Sequence, residues 1–249
     1  MIEGIREQRK NISELSRMKT IIKLGRRVAH EVKNPLTPIK LSAEQILRTL
    51  MDKNPNYEDI IRQSVKYIID ETEHLKKVSY GFLDLSRLDE LNVEPFDLVD
   101  VLRGEVFNYK QIYSHIDFDF YVGNVSVLEG DKDESSCYVV MDKFKIRQVL
   151  KNLINNSIEA LGEKKGVIRI TLTQGDGRVV IEVLDNGVGM DEEGMDLIFN
   201  FDNSTKEIGT GLGLFIVKRI IELHRGHIEI QSKKNKGTRV ILDLPIKTE

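Results

Sequence analysis

Tryptophan is absent from these 249 residues, and cysteine occurs once, at Cys137. A lone thiol cannot close an internal bridge, so no disulfide framework is expected and a reducing, cytoplasmic compartment fits. No run of about 18 apolar residues occurs, so nothing in this chain is expected to span a membrane. The N-terminus is charged throughout and lacks the apolar core of a signal peptide. The formal net charge is only −3, which argues against bulk affinity for nucleic acid. What is present is 40% apolar and 31% charged residues, a soluble profile with a helical surface component. The length suffices for two domains.

Charge is uneven along the chain. Residues 1–40 hold ten Lys and Arg against four Glu. Such a run is either a solvated helix face or the basic cytoplasmic flank of a membrane span in a longer protein. Apolar or small residues then recur at Leu15, Met18, Ile22, Gly25, Ala29, Val32, Leu36, Ile39, Ala43, Ile46 and Leu50. Steps of three and four alternate without a break, which is a heptad seam. Asn54 and Pro55 mark a turn. A second seam follows at Ile61, Val65, Ile68, Leu75, Phe82 and Leu85, with Thr72 and Ser79 at intervening seam positions. Two long helices and a short loop predict an antiparallel hairpin over residues 1–90, entered through a helical linker, 1–14. One hairpin buries little alone, so a homodimer forming a four-helix bundle is expected.

HEVKNPLTP, residues 30–38, interrupts the first seam with two prolines. Each costs a helix interior about 3 kcal/mol. His30 falls just outside the seam, with Asn34 four residues on along the same outward face and Glu31 beside it. An exposed imidazole, a carboxylate and an amide are thus expected together on a helix surface. A surface histidine is ordinary by itself; the prolines placed beside it make a functional cluster the better reading. Pro35 supplies no N–H to the Glu31 carbonyl, so a bend is expected just below His30.

Beyond the junction LNVEP (91–95), short β-rich runs appear at 118–122, 138–141, 167–174, 178–185, 227–234 and 238–246, with helical runs at Lys143–Leu161 and Leu212–His224. GDGR joins two of the runs as a hairpin signal. Residues 96–249 are therefore expected to form a two-layer α/β sandwich. Three segments in it carry polar chemistry. In NLINNSIEAL (152–161), Asn152 and Asn156 share a face away from the apolar one. They are either surface residues or oxygen ligands for Mg²⁺ and partners for phosphate. In LDNGVGM (184–190), Asp185 ends an apolar strand, where its carboxylate can accept from an amino group. Asp-Asn-Gly alone is also a turn, and Gly187 and Gly189 permit close approach of the backbone to a planar ring. GTGLGL (209–214) has neither the dinucleotide-binding nor the P-loop spacing. It runs straight into an amphipathic helix, whose N–H groups make an anion site.

In this order, after a histidine-bearing hairpin, the segments resemble the sensor histidine kinases of two-component signalling, over roughly residues 20–245. HEVKNP looks like the family's phosphoacceptor box, NLINN like its asparagine box, and DNGVGM and GTGLGL like its glycine boxes. RRVAHEVKNPLTPIKLSAEQI is most similar to the nitrogen-regulation sensors of the NtrY type. The resemblance implies an α+β, two-domain chain: a dimeric phosphoacceptor hairpin, then an ATP-binding sandwich with a mixed sheet. It implies that His30 attacks the γ-phosphate of ATP with Glu31 as proton acceptor or positioner, and that an aspartate of a response regulator receiver domain takes the phosphoryl group. Asn34 would orient water when the regulator is dephosphorylated. Asp185 would accept from the adenine amino group, with Gly187 and Gly189 beside it. Asn156 would ligate Mg²⁺ with Asn152 close by, and Gly209, Gly211, Gly213 and Leu214 would cradle phosphates, with Lys206 reaching the outer ones. Related ATP-hydrolysing chaperones and topoisomerases carry glutamate at the position of Asn152; asparagine cannot take a proton from water, which favours kinase over ATPase. The alternative is a phosphatase-dominant or non-catalytic docking module in which ATP only sets conformation. IFNFDNSTKEIG (198–209) departs from the family pattern by lacking a proline in the expected nucleotide lid. His224 and His227 are expected to be structural.

Overall fold

The computed structural model describes residues 25, 28–29, 31–51, 56–86, 91–127, 135–197 and 212–247. The chain divides into two compact units, Met1–Asp84 and Leu85–Glu249. Among the described residues no helix is long and apolar enough to cross a membrane.

The first unit holds helix α1 (31–51) and helix α2 (Tyr57–Ser86). Glu31, at the start of α1, lies 4.0 Å from His74, well along α2. The two helices therefore run antiparallel, as the seams predict. The faces in contact are shifted from the expected ones. On α1, Pro35 and Thr49 are buried and Val32, Ile39, Ser42 and Ile46 half-buried, while the expected seam residues Leu36, Ala43 and Leu50 are exposed. On α2, Ser64 and Val78 are buried and Ile61, Ile68 and Leu75 half-buried, while Val65, Thr72 and Ser79 are exposed. Half of each seam thus meets the other helix of the hairpin. The other half faces outward, because one chain supplies one neighbour and a seam is the centre of a wider apolar arc. α1 is also helical straight through Pro35 and Pro38. The expected bend does not interrupt it. The Pro35 ring is buried, so apolar burial offsets part of the missing N–H.

In the second unit, β1 (Glu94–Asp97) pairs antiparallel with β4 (Tyr138–Met141). Glu94 and Pro95, expected as linker, are therefore strand. The main sheet has six strands: β2 (Ile116–Val122), β3 (Val125–Ser126), β5 (Gly166–Gly175), β6 (Arg178–Asp185), β7 (His227–Lys233) and β8 (Gly237–Pro245). Their order is β3-β2-β5-β6-β8-β7. β2 and β5 are parallel and every other pair is antiparallel, so the sheet is mixed. The β5–β6 turn is the one GDGR predicts. Asp176 (φ 51°) and Gly177 (φ 73°) both take positive φ, as a two-residue hairpin loop requires.

One face of the sheet is apolar at alternate positions: Phe118 and Phe120, Ile168 and Ile170, Ile181 and Val183, Leu242 and Leu244 are all buried. Helices α3 (Leu98–Ile112), α4 (Lys143–Leu161) and α6 (Leu212–Leu223) bury their apolar stripes, among them Leu102, Leu153, Ile154 and Ile220. Burial of each such side chain contributes about 1.5–3 kcal/mol before entropy. A short helix, α5 (Glu192–Leu197), follows the β6 loop. α3 begins at Asp97, whose Oδ1 accepts from Val99 N and Cys137 N, each at 2.9 Å. α4 begins at Asp142, whose carboxylate accepts from Lys145 N at 3.0 Å and Asn92 N at 2.9 Å. The second cap fixes the start of α4, and Ser157 on that helix reaches the strand that ends in Asp185.

Candidate functional site

Asp185 closes β6 and is 5% exposed. Its Oδ1 accepts from Gly187 N at 2.9 Å and Thr238 N at 3.2 Å, and Oδ2 accepts from Ser157 Oγ on α4 at 3.2 Å. Burial pushes the carboxyl pKa up, and the bonds from Gly187, Ser157 and Thr238 pull it back. The group is locked in orientation from three sides, with acceptor capacity left on Oδ2.

Asn152, Asn156 and Ala160 form one stripe along α4, at four-residue spacing. At one end of the stripe, Oδ1 of Asn152 lies 3.4 Å from where a methyl on Gly213 would sit, so the start of α6 lies beside it. At the other end, a methyl on Gly187 would meet the Ala160 backbone at 2.8 Å. Val188 N donates to the Ala160 carbonyl at 3.1 Å, tying the β6 loop to the helix. Between them, Asn156 carries a buried Nδ2 with no hydrogen-bond partner. A buried amide donor without an acceptor costs about 1–3 kcal/mol, so it marks a place where an acceptor belongs.

The glycines of the β6 loop pack against the protein's own backbone. Gly187 is pressed on Ala160. Gly189 (φ 60°) would drive a methyl to within 2.1 Å of the Lys233 carbonyl. Their close neighbours are the protein's own backbone, from α4 and from the β7–β8 turn, so they shape the loop. Ser232 fixes the same turn: its Oγ accepts from Met190 N at 2.9 Å and bonds the Gly237 carbonyl at 3.0 Å. Leu214 is half-buried on the first turn of α6.

His224, expected as structural, is fully buried. Its Nε2 accepts from Asp142 N at 3.0 Å and its Nδ1 lies 2.8 Å from the Ile220 carbonyl. Nδ1 is therefore the protonated nitrogen, and burial holds the imidazole pKa below its ordinary value. His227 is exposed on β7.

On the hairpin the expected polar cluster divides. Asn34 is exposed, as is Thr37. The Glu31 side chain is only 20% exposed and turns toward His74 on α2. Residues at positions 31 and 34 lie about 60° apart around a helix, which separates an inward carboxylate from an outward amide. His30, Lys206, Gly209, Gly211 and the 198–209 lid lie outside the described residues. Sequence reasoning missed Ser157, Thr238 and His74. Ser157 was within reach: it is a polar residue on the apolar stripe of α4, and a buried hydroxyl needs a partner.

The donors fit an adenine nucleotide. A buried, oriented carboxylate suits an amino group, an unpartnered amide donor suits a phosphate oxygen, and Oδ1 of Asn156 suits a hard divalent cation.

Two family descriptions match the chain. Residues 20–91 match the His Kinase A (phospho-acceptor) domain, and residues 141–248 match the histidine kinase-, DNA gyrase B- and HSP90-like ATPase. Sporulation kinase C of Bacillus subtilis is 31% identical over 236 residues, 95% of this chain and 51% of that protein. The nitrogen regulation protein NtrY of Azorhizobium caulinodans is 29% identical over 228 residues, 89% of this chain and 28% of that protein. The chain thus spans about half or less of these relatives. Among solved structures, the catalytic domain of histidine kinase ThkA shares 32% identity with a TM-score of 0.54, covering 63% of this chain and 97% of that one. ThkA in complex with the response regulator protein TrrA shares 26% identity with a TM-score of 0.63, covering 98% of this chain and 65% of that one. Fold, site and matches together define a histidine-kinase-type ATPase domain preceded by a helical phospho-acceptor domain. The chain belongs to the sensor histidine kinase family.

Proposed function

We propose that this chain is the core of an ATP-dependent protein-histidine kinase, in which residues 1–90 carry the phosphoacceptor, 91–93 join the parts and 94–249, from strand β1 on, bind nucleotide. The observation that carries the reading is the α4 stripe, where the unpartnered Nδ2 of Asn156 lies on the same helix as the Ser157 hydroxyl that locks Asp185. Asp185 accepts from the adenine amino group. Asn156 offers Nδ2 to a phosphate oxygen and Oδ1 to Mg²⁺, which when bound neutralises charge between phosphates. Asn152, beside Gly213, borders the phosphate end, where Gly209, Gly211, Gly213 and Leu214 cradle phosphates and Lys206 reaches the outer ones. His30 attacks the γ-phosphorus, the bond to ADP oxygen breaks, and the imidazole proton passes to Glu31. The phosphoryl group then moves to an aspartate of a response regulator. Asn152 cannot accept a proton from water, which keeps ATP for the histidine rather than for hydrolysis.

The exposed Leu36, Leu50 and Val65 of the hairpin support a homodimer through a four-helix bundle. The ThkA–TrrA complex supports a regulator as partner, and in this reading Asn34, exposed on α1, orients water for dephosphorylating it. Incubation with γ-labelled ATP and Mg²⁺ is expected to give acid-labile, base-stable label, absent from His30→Gln. Free phosphate without protein label would instead identify an ATPase. Asn34→Ala is expected to keep the label and lose regulator dephosphorylation; equal loss of both would remove Asn34 from the water-orienting role.

A further inference from the structure

Two helices border the phosphate end of the proposed site, α4 through Asn152 and α6 through Gly213, and they run antiparallel. Asp142, at the start of α4, meets His224, the residue after α6, where Asp142 N donates to Nε2 at 3.0 Å. At the far end, Oδ1 of Asn152 lies 3.4 Å from where a methyl on Gly213 would sit. Asn152 is ten residues after Asp142 and Gly213 eleven before His224, so about 15 Å of helix separates the two contacts. Asp142 is itself fixed: Oδ1 accepts from Lys145 N at 3.0 Å and Oδ2 from Asn92 N at 2.9 Å. His224 is fixed on α6, its Nδ1 donating to the Ile220 carbonyl at 2.8 Å. Between the two ends α6 buries Val217, Ile220 and Ile221. Apolar contact has no direction and tolerates a slip along the axis. A buried hydrogen bond between two oriented groups does not, so it fixes the register.

We propose that His224 is a positioning residue for the phosphate end of the nucleotide site. Its bond to Asp142 N sets the axial register of α6 on α4, and so the place of Gly213 against Asn152. This rests on the nucleotide reading above. The adenine end does not share the dependence, because Asp185 is oriented by Gly187, Ser157 and Thr238, none of them on α6. Loss of the His224 bond therefore acts on phosphate recognition and spares the base. A slip of about 1 Å suffices, since a misplacement of that size costs a site up to about a hundredfold.

Calorimetry on the 249-residue chain with ATP, ADP and adenosine tests this. His224→Phe is expected to weaken ATP and ADP about tenfold and adenosine by less than about twofold. In His224→Gln, Oε1 stands where Nε2 stood and can accept from Asp142 N, so most of that loss is expected to be regained. Equal weakening of all three ligands, or a Gln variant no better than Phe, would mean that His224 only packs and would overturn the proposal. A second measurement needs no variant. Coupling between the two ends is reciprocal, so exchange of the Asp142 amide hydrogen in the unaltered chain should slow on addition of ATP and not of adenosine. The same protection by both, or by neither, would overturn the register role even if the variants failed to fold. An unaltered chain that binds none of the three ligands would overturn the nucleotide reading, and the proposal with it, so the two failures are told apart.

Discussion

Asp185 concentrates the chemistry of the nucleotide unit in one carboxyl group. Asn at this position keeps an Oδ1 acceptor for Gly187 N and Thr238 N, and its Nδ2 can donate to Ser157 Oγ in place of the present bond. It loses the acceptor for an amino group. Asp185→Asn is therefore expected to fold normally but to bind ATP about ten- to a hundredfold more weakly by calorimetry, the cost of one unpaired buried donor. Folding raises this carboxyl's pKa, so the native state holds the proton more tightly than the unfolded chain. Stability of the nucleotide-free protein should fall as pH rises from the ordinary carboxylate range through the raised value, and urea titrations of Asp185→Asn should lack that component. His224 works in the opposite direction. Burial depresses its pKa, so the unfolded chain takes the proton first and stability is lost as pH falls below about 6.5. Replacing it with Phe leaves the Asp142 N–H without its acceptor. Urea midpoints should show a loss of about 1–3 kcal/mol at pH 7 and a smaller pH dependence. A steeper dependence in His224→Phe would contradict the depressed pKa of this imidazole.

Among the elements, α1 shows a local rule giving way to tertiary packing. Its continuity through Pro35 means that the proline's cost is borne inside an intact helix. Pro35→Ala restores an N–H worth up to about 3 kcal/mol against a smaller loss of apolar contact. It should raise the melting temperature of the helical unit and slow exchange between kinase and phosphatase states. Unchanged rates of both would mean that the proline serves packing alone. α4 was legible from end to end because its apolar residues recur at helical spacing and Gly162 follows it. α3 was not. Val99, Val101, Val106 and Gly104 weaken a helical reading, and burial of Leu98, Leu102 and Val106 overrides them. β1 was missed because four residues containing Pro95 read as a linker until the pairing with β4 is known.

At the scale of the molecule, the nucleotide side of the site was readable and its support was not. Spacing put Asn152 and Asn156 on one stripe and Asp185 at a strand end. Only the β6–β8 register could bring Thr238 to Asp185, and only the hairpin register could bring His74 to Glu31. The outward halves of the seams carry the expectation for assembly. Leu36 and Leu50 are 50% and 56% exposed in a single chain, so a Leu50→Asp variant should shift a dimer to monomers in sedimentation while the second unit keeps its ATP affinity. An unaltered dimer would place the interface elsewhere. The parallel pairing of β2 with β5 has its own consequence during synthesis. β2 leaves the ribosome before α4 and β5 exist, when its neighbours among the described residues are α3 and the two-residue strand β3. Phe118 and Phe120 lack α4 and their β5 neighbours for that interval, which makes a nascent chain stalled short of Gly166 the species a chaperone would hold.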